Sequence, residues 1–173
     1  SVDSYHLSAK ALRAIAYAPA RNELAIGSSD HGIFILEADT LRLKKTIPVA
    51  HHNSVFTLMY TAGDKLLLSG GRDAVLKIWD TEKETPFVRE ISAHLFTINH
   101  IVSSPNGRLI ATASRDKTIK IWRASDFELL KVIDTLRLNG HVNSVNRLLW
   151  TDRALISCSD DQRIMLWEIA AMG

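Results

Sequence analysis

The chain has one cysteine, Cys158, in 173 residues. That excludes an internal disulfide and fits a reducing compartment, so the expected location is cytoplasmic. Seven histidines fall into no His-x-x-x-His spacing, and no Cys-x-x-Cys occurs. No metal and no cofactor are therefore expected. No run of about 18 apolar residues is present, which excludes a spanning helix and makes a membrane partner unexpected. The opening "SVDSYHLSAK" lacks the basic-then-apolar pattern of a secretory signal. Neither charge sign dominates, with 21 Lys and Arg against 19 Asp and Glu, which argues against nucleic acid by charge alone. "SGGRD" at 69–73 lacks the Lys-Ser/Thr of a phosphate loop. No stretch keeps a 3.6-residue apolar period for three turns, so long helices are not expected.

What the sequence does have is repetition. "SGGRDAVLKIWD" (69–80), "TASRDKTIKIWR" (112–123) and "SCSDDQRIMLWE" (157–168) are one sentence written three times. The turn aspartates Asp30, Asp73, Asp116 and Asp161 are 43, 43 and 45 residues apart. Six residues after each stand Leu36, Trp79, Trp122 and Trp167. Four residues before each stand Ile26, Ser69, Thr112 and Ser157. An apolar pair opens each unit (Leu12/Ile15, Val55/Leu58, Ile98/Ile101, Val145/Leu148), preceded by Ser8, His51, His94 and His141. Each unit divides into short Ile-, Val-, Leu- and Thr-rich runs separated by turn residues, which predicts four-stranded antiparallel sheets. The outer strands are expected at 42–47, 86–91 and 128–133.

These His, Ser/Thr, Asp and Trp columns, with Gly140-His141 and Trp79-Asp80, resemble the WD-repeat β-propeller family over essentially the whole chain. The resemblance implies an all-β fold of four blades forming part of a propeller: blade 1 at 8–47, degenerate; blade 2 at 48–91; blade 3 at 92–133; and blade 4 at 134–173, without its outer strand. Residues 1–7 are expected as a spare outer strand, and the chain as the C-terminal part of a longer propeller. The family pattern further implies a buried network of His51, Ser69, Asp73 and Trp79, of His94, Thr112, Asp116 and Trp122, and of His141, Ser157, Asp161 and Trp167. The chemistry agrees, because each donor finds an acceptor. A Ser-His-Asp set also suggests a hydrolase triad. A catalytic set need occur only once, however, so no catalytic residue and no enzyme is expected. Blade 1, with Ser8, Ile26 and Leu36, is expected to lack the network. Cys158 is expected to be a small buried apolar group.

Propeller loops carry binding. The family uses the face on which two columns of this chain map. One precedes each turn Asp: Ser29, Arg72, Arg115 and Asp160. The other follows the first apolar residue of each unit: Arg13, Phe56, Asn99 and Asn146. The function this implies is a protein–protein interaction scaffold binding a peptide or protein, acidic or phosphorylated, on an Arg-bearing rim. The alternative is a nucleic acid or another phosphate-bearing ligand on the same rim. The opposing structural reading is that Arg72 and Arg115 pair with neighbouring carboxylates. A spare strand and an incomplete blade imply self-association, two copies closing an eight-bladed ring with residues 2–7 of one completing the last blade of the other.

Overall fold

Strands this short satisfy their backbone groups only by pairing with neighbours. In the computed structural model, which describes residues 4–169, they form four antiparallel sheets in meander order. The first holds β1 (Leu12–Ala18), β2 (Glu23–Ser28), β3 (Ile33–Glu37) and β4 (Leu43–Ile47). The second holds β5 (Val55–Tyr60), β6 (Leu67–Gly71), β7 (Val75–Trp79) and β8 (Phe87–Ser92). The third holds β9 (Ile98–Ser103), β10 (Leu109–Ser114), β11 (Ile119–Arg123) and β12 (Leu129–Ile133). The last has three strands, β13 (Val145–Trp150), β14 (Leu155–Ser159) and β15 (Ile164–Trp167). A four-residue helix, α1 (Thr135–Leu138), lies between β12 and β13, capped by the Asp134 carboxylate accepting from Arg137 N–H at 2.8 Å. Residues 1–3 of the expected spare strand lie outside the described residues, and Ser4–Leu7 are in no strand.

The fold is all-β, a set of propeller blades stacked face to face. The first strands β1, β5, β9 and β13 are successive neighbours. Each pair of adjacent sheets encloses an apolar layer. Ala18, Ala25, Ile33 and Ile35 of blade 1 meet Leu58, Tyr60, Leu67 and Trp79 of blade 2. Leu68, Leu76 and Ile78 of blade 2 meet Ile101, Ile110 and Trp122 of blade 3. Ala111, Ala113, Ile119 and Ile121 of blade 3 meet Leu148 and Leu155 of blade 4. The spacing is tight. A Cβ on Gly70 would stand 2.8 Å from Ile98 Cγ2 across the second junction.

Side chains also tie blade to blade. Thr57 Oγ1 accepts the backbone N–H of Ile101 at 3.1 Å, and His100 Nδ1 accepts that of Leu148 at 3.0 Å. Between blades 1 and 2 the buried Glu23 carboxylate accepts from Tyr60 Oη at 2.6 Å and Thr81 Oγ1 at 2.8 Å, and pairs with Lys44 at 3.2 Å. Burial pushes the Glu23 carboxyl up, but these donors outweigh it and hold it below its usual value.

Candidate functional site: a bulged rim above a hydrogen-bonded frame

The four repeated residues of blades 2, 3 and 4 form one chain of donors and acceptors. Trp79 Nε1 donates to Ser69 Oγ at 2.8 Å, and that hydroxyl is 2.6 Å from His51 Nε2. His51 Nδ1 lies 3.0 Å from Asp73, which also accepts His52 N–H at 3.0 Å. In blade 3 the distances are 2.9 Å for Trp122 to Thr112, 2.8 Å for Thr112 to His94 and 2.9 Å for His94 to Asp116. In blade 4 they are 2.9, 2.8 and 2.9 Å for Trp167, Ser157, His141 and Asp161. Because the hydroxyl oxygen accepts from indole, its proton goes to His Nε2, and Nδ1–H goes to the carboxylate. Burial pushes the Asp73 carboxyl up, but the bonds from His51, His52 and Val75 prevail and hold it at about 2. Asp116 and Asp161 are lowered in the same way. Burial also keeps the His94 ring below its ordinary pKa, against the pull of Asp116. The hydroxyls of Ser69, Thr112 and Ser157 are spent between ring and indole, an arrangement that fixes the turn.

Blade 1 corrects one expectation. It keeps part of the network. Ser8 Oγ donates to Asp30 Oδ2 at 2.5 Å, where the other blades use histidine, and Ser28 Oγ also donates to Asp30. Only the Ile26/Leu36 half is apolar, and removing both partners together leaves no orphaned group. Cys158 departs from expectation as well. It is half-buried, because the face of blade 4 that carries it is uncovered.

The turn itself holds a column that the sequence hides. The residue after each turn Asp is left-handed: His31 (φ 77), Ala74 (φ 65), Lys117 (φ 74) and Gln162 (φ 66). Each occupies a conformation unusual for its side chain. In blades 2, 3 and 4 the aspartate accepts the N–H two residues on (Val75, Thr118, Arg163), which holds this turn.

The rim columns sit on a second device. In every blade the first strand has one more residue than its partner, and the extra residue is Arg13, Phe56, Asn99 or Asn146. A β-bulge re-aims a side chain out of the pleat. All four bulged residues, with Arg147, line one open depression of about 370 Å³. The second column is fastened beside it. Backbone N–H groups of Ser29, Arg72, Arg115 and Asp160 bond the carbonyls of Ala11, Ser54, Thr97 and Ser144 at 2.8, 3.0, 2.9 and 3.1 Å.

Within this rim Arg13 Nε donates to Ser29 Oγ at 2.8 Å, and its guanidinium lies 5.9 Å from the Phe56 ring centroid. Asn146 Nδ2 donates to Asp160 Oδ1 at 2.6 Å, so this carboxylate is held by an amide rather than a cation. Asn99 Nδ2 donates to Ser144 Oγ and to the Val145 carbonyl, and Arg147 reaches the Asn99 carbonyl at 3.1 Å. Arg72 and Arg115 are exposed, and their side chains enter no ion pair or hydrogen bond among the described residues. The expected alternative, pairing with neighbouring carboxylates, is therefore absent from this structure. Arg147 carries no sequence signal, since the same position after the bulge holds Ala14, Thr57 and His100 in the other blades. A larger cavity of about 590 Å³ lies between blades 2 and 3, lined by Leu66, Arg108 and Leu109 among others. It lacks the repeated columns that converge on the rim.

The comparisons agree with this geometry. The family model "WD domain, G-beta repeat" matches residues 42–80, 85–123 and 131–168. The chain is 31% identical over 168 residues to the Nuclear distribution protein nudF of Aspergillus niger, covering 93% of this chain and 36% of that protein. It is 38% identical over 96 residues to the Kinesin-like protein KIF21B of Homo sapiens, covering 56% of this chain and 6% of that one. The chain thus spans about a third of the first of these relatives and a small part of the second. In structure it is similar to the computationally designed Ika4 protein, with a TM-score of 0.79, 24% identity and 96% of each chain covered, a likeness of fold alone. Three matched repeats, and a bulged blade bearing the same turn on each of four sheets, make this chain a member of the WD-repeat β-propeller family.

Proposed function

We propose that this chain is a non-catalytic scaffold whose Arg-bearing rim captures an acidic or phosphorylated peptide of a partner protein. Protein interaction is the general role of WD-repeat proteins. The finer reading rests on one observation, the convergence of Arg13, Phe56, Asn99 and Asn146 beside the unpaired Arg72 and Arg115. Arg13 and Arg147 line the mouth, Arg72 and Arg115 stand on the turns fastened beside it, and the carboxylate of Asp160 is taken by Asn146. Arg grips carboxylates and phosphates with two parallel bonds, and the Phe56 ring offers a platform for apolar atoms. Under this reading the repeated network and its turn hold the rim rigid, the protein works in the cytoplasm, and two copies pair to complete a ring.

Fluorescence anisotropy with an acidic peptide, its phosphorylated form, a neutral scramble and a single-stranded oligonucleotide tests the reading. Arg72→Glu with Arg115→Glu should weaken peptide binding at least tenfold, since one charged hydrogen bond contributes about 1.5–3 kcal/mol. The melting temperature should hardly move, because both side chains are exposed and unpaired. Peptide binding untouched by the double substitution would leave the rim as ordinary surface. Oligonucleotide binding that falls steeply with salt would assign the site to nucleic acid instead.

A further inference from the structure

Of the junctions between blades, the one joining blades 2 and 3 is hollow, and the repeat shows what fills its neighbours. Two columns meet there, at the strand ends away from the rim. One is the last residue of β5, β9 and β13, paired in register with Leu67, Ile110 and Leu155. The other stands two residues after each repeated tryptophan. Between blades 1 and 2 these columns supply Tyr60 and Thr81, both buried and both bonded to the Glu23 carboxylate. Between blades 3 and 4 they supply Trp150 and Ile169, which pack on the core of that junction. Between blades 2 and 3 they supply only Ser103 and Ala124, and Leu66 stands where blade 1 has Glu23. Neither a polar latch nor an aromatic plug is built there. The cavity at this place is about 590 Å³, against about 430 and 330 Å³ for the hollows at the flanking junctions. Blades 2 and 3 each have a neighbour on both sides, so the gap is a property of the junction itself.

The walls suit one kind of occupant. Leu66, Leu109, Ala124 and Leu130 give the gap an apolar floor. The turns on its two sides touch, since a Cβ added to Gly107 would stand 2.5 Å from Ala62 Cβ. Lys65 and Arg108 also line it. Both are exposed, and their side chains enter no ion pair or hydrogen bond among the described residues. Arg123, the third cation, is taken by Asp126 and Glu128. An apolar hollow of this size with a few polar groups is the usual form of a binding site. We infer that the gap is a second binding site, which takes an aromatic side chain of a partner protein's peptide in the place that Tyr60 and Trp150 fill from within at the flanking junctions, with acidic residues beside it held by Lys65 and Arg108. The partner's ring restores the packing that the repeat leaves out here, and aromatic anchors in pockets carry much of the energy of protein interfaces. The carboxylates meet the two free cations in charged hydrogen bonds. Because first strands run from the bulged rim to this end, the site lies on the face opposite the rim and stands whether or not the rim binds.

Fluorescence anisotropy tests this with three labelled peptides: an acidic peptide with one central tryptophan, the same peptide with alanine in that place, and the tryptophan peptide with lysine flanks. The chain used carries Arg72→Glu and Arg115→Glu, so that acidic peptides are repelled from the rim and the two sites are read apart. Only the acidic tryptophan peptide should bind saturably. Adding Lys65→Glu with Arg108→Glu should weaken that binding at least about tenfold. Ser103→Tyr gives blade 3 the ring that blade 2 has, and should abolish binding while the melting temperature holds or rises. Ala124→Ile copies the residue of blade 4 and fills the gap from the other column, so it should abolish binding independently. Absence of saturable binding would overturn the inference. So would equal binding of the alanine peptide, or binding that survives both filling variants, because the occupant would then be no ring seated in this gap.

Discussion

The Thr112 hydroxyl is a hinge of chemistry, and its replacement by valine should cost far more than its size suggests. Thr112 is 0% exposed, and the indole of Trp122 beside it is 3% exposed. Its oxygen accepts from Trp122 Nε1 at 2.9 Å and its proton goes to His94 Nε2 at 2.8 Å. Valine keeps the branched shape, so almost no apolar contact is lost. It strands an indole N–H and an imidazole nitrogen in a site closed to water. Each orphan costs about 1–3 kcal/mol, so the expected loss is about 2–6 kcal/mol. Thr112→Ser removes a methyl group but keeps both bonds, as Ser69 and Ser157 do in the neighbouring blades, and should cost about 1 kcal/mol. Urea unfolding followed by circular dichroism measures both variants as midpoint shifts at constant slope. A valine variant no weaker than the serine variant would refute the claim that the repeated polar set stabilises the blade through its hydrogen bonds. The apolar Ile26/Leu36 pair of blade 1 gives a second arm. The triple variant His94→Ser, Thr112→Ile and Trp122→Leu removes the indole, hydroxyl and ring together and leaves Asp116 the hydroxyl partner that Asp30 has in blade 1, so beyond the cavity left by Trp122 no orphaning cost is expected.

Two further outcomes follow from the turns and junctions. Burial, helped by the charge of Arg147, lowers His100 to about 4, and its Nδ1 must stay unprotonated to accept Leu148 N–H. The unfolded chain, with an ordinary value near 6.5, takes up that proton first. Stability from this residue is therefore complete above about pH 6.5 and is lost as the pH falls toward 4. The loss is about 1–2 kcal/mol after allowing for its partly exposed position, and His100→Gln should remove it from urea midpoints compared at pH 7.5 and 5. Ala74 and Lys117 are left-handed at φ 65 and 74, so Ala74→Gly should raise stability by about 0.5–1 kcal/mol after glycine's own chain entropy is subtracted. A lower thermal midpoint would contradict that account of the turn.

What could be read in the sequence depended on how many times it was written. The Trp, Ser/Thr, His and Asp columns recur at a near-constant period, so fold and repeat length are plain in the sequence. The outer strands were expected within one residue of where they lie, since apolar and turn residues alternate sharply there. The bulges were not legible. Arg13, Phe56, Asn99 and Asn146 share a backbone position but no side-chain type, and only strand register exposes the extra residue. The left-handed column is equally mute, because His31, Ala74, Lys117 and Gln162 have nothing chemical in common. The Ser8–Asp30 bond is hidden in the sequence because serine stands where the other units have histidine. Thr57 and His100 look like ordinary strand residues, and their bonds to the next blade exist only once the sheets are stacked. Cys158 reads as core because it sits in a strand column, and only the stacking of the sheets shows that its face of blade 4 is uncovered.

Bulging the first strand at the same place in every blade separates two kinds of inheritance within one repeat. The frame reads the columns that fill the sheet and the turn, and its polar members stay matched in blades 2 to 4 or leave together, as at Ile26 and Leu36 in blade 1. The bulged position reads none of these, and already holds arginine, phenylalanine and two asparagines on one backbone geometry. Substitution of the exposed Arg13 should change the lining of the mouth while the melting curve hardly moves, whereas substitution of Asn99 also removes its bonds to Ser144 and Val145. Under the proposed rim binding, partner choice can change one blade at a time, and a designer can explore it with a library of four codons.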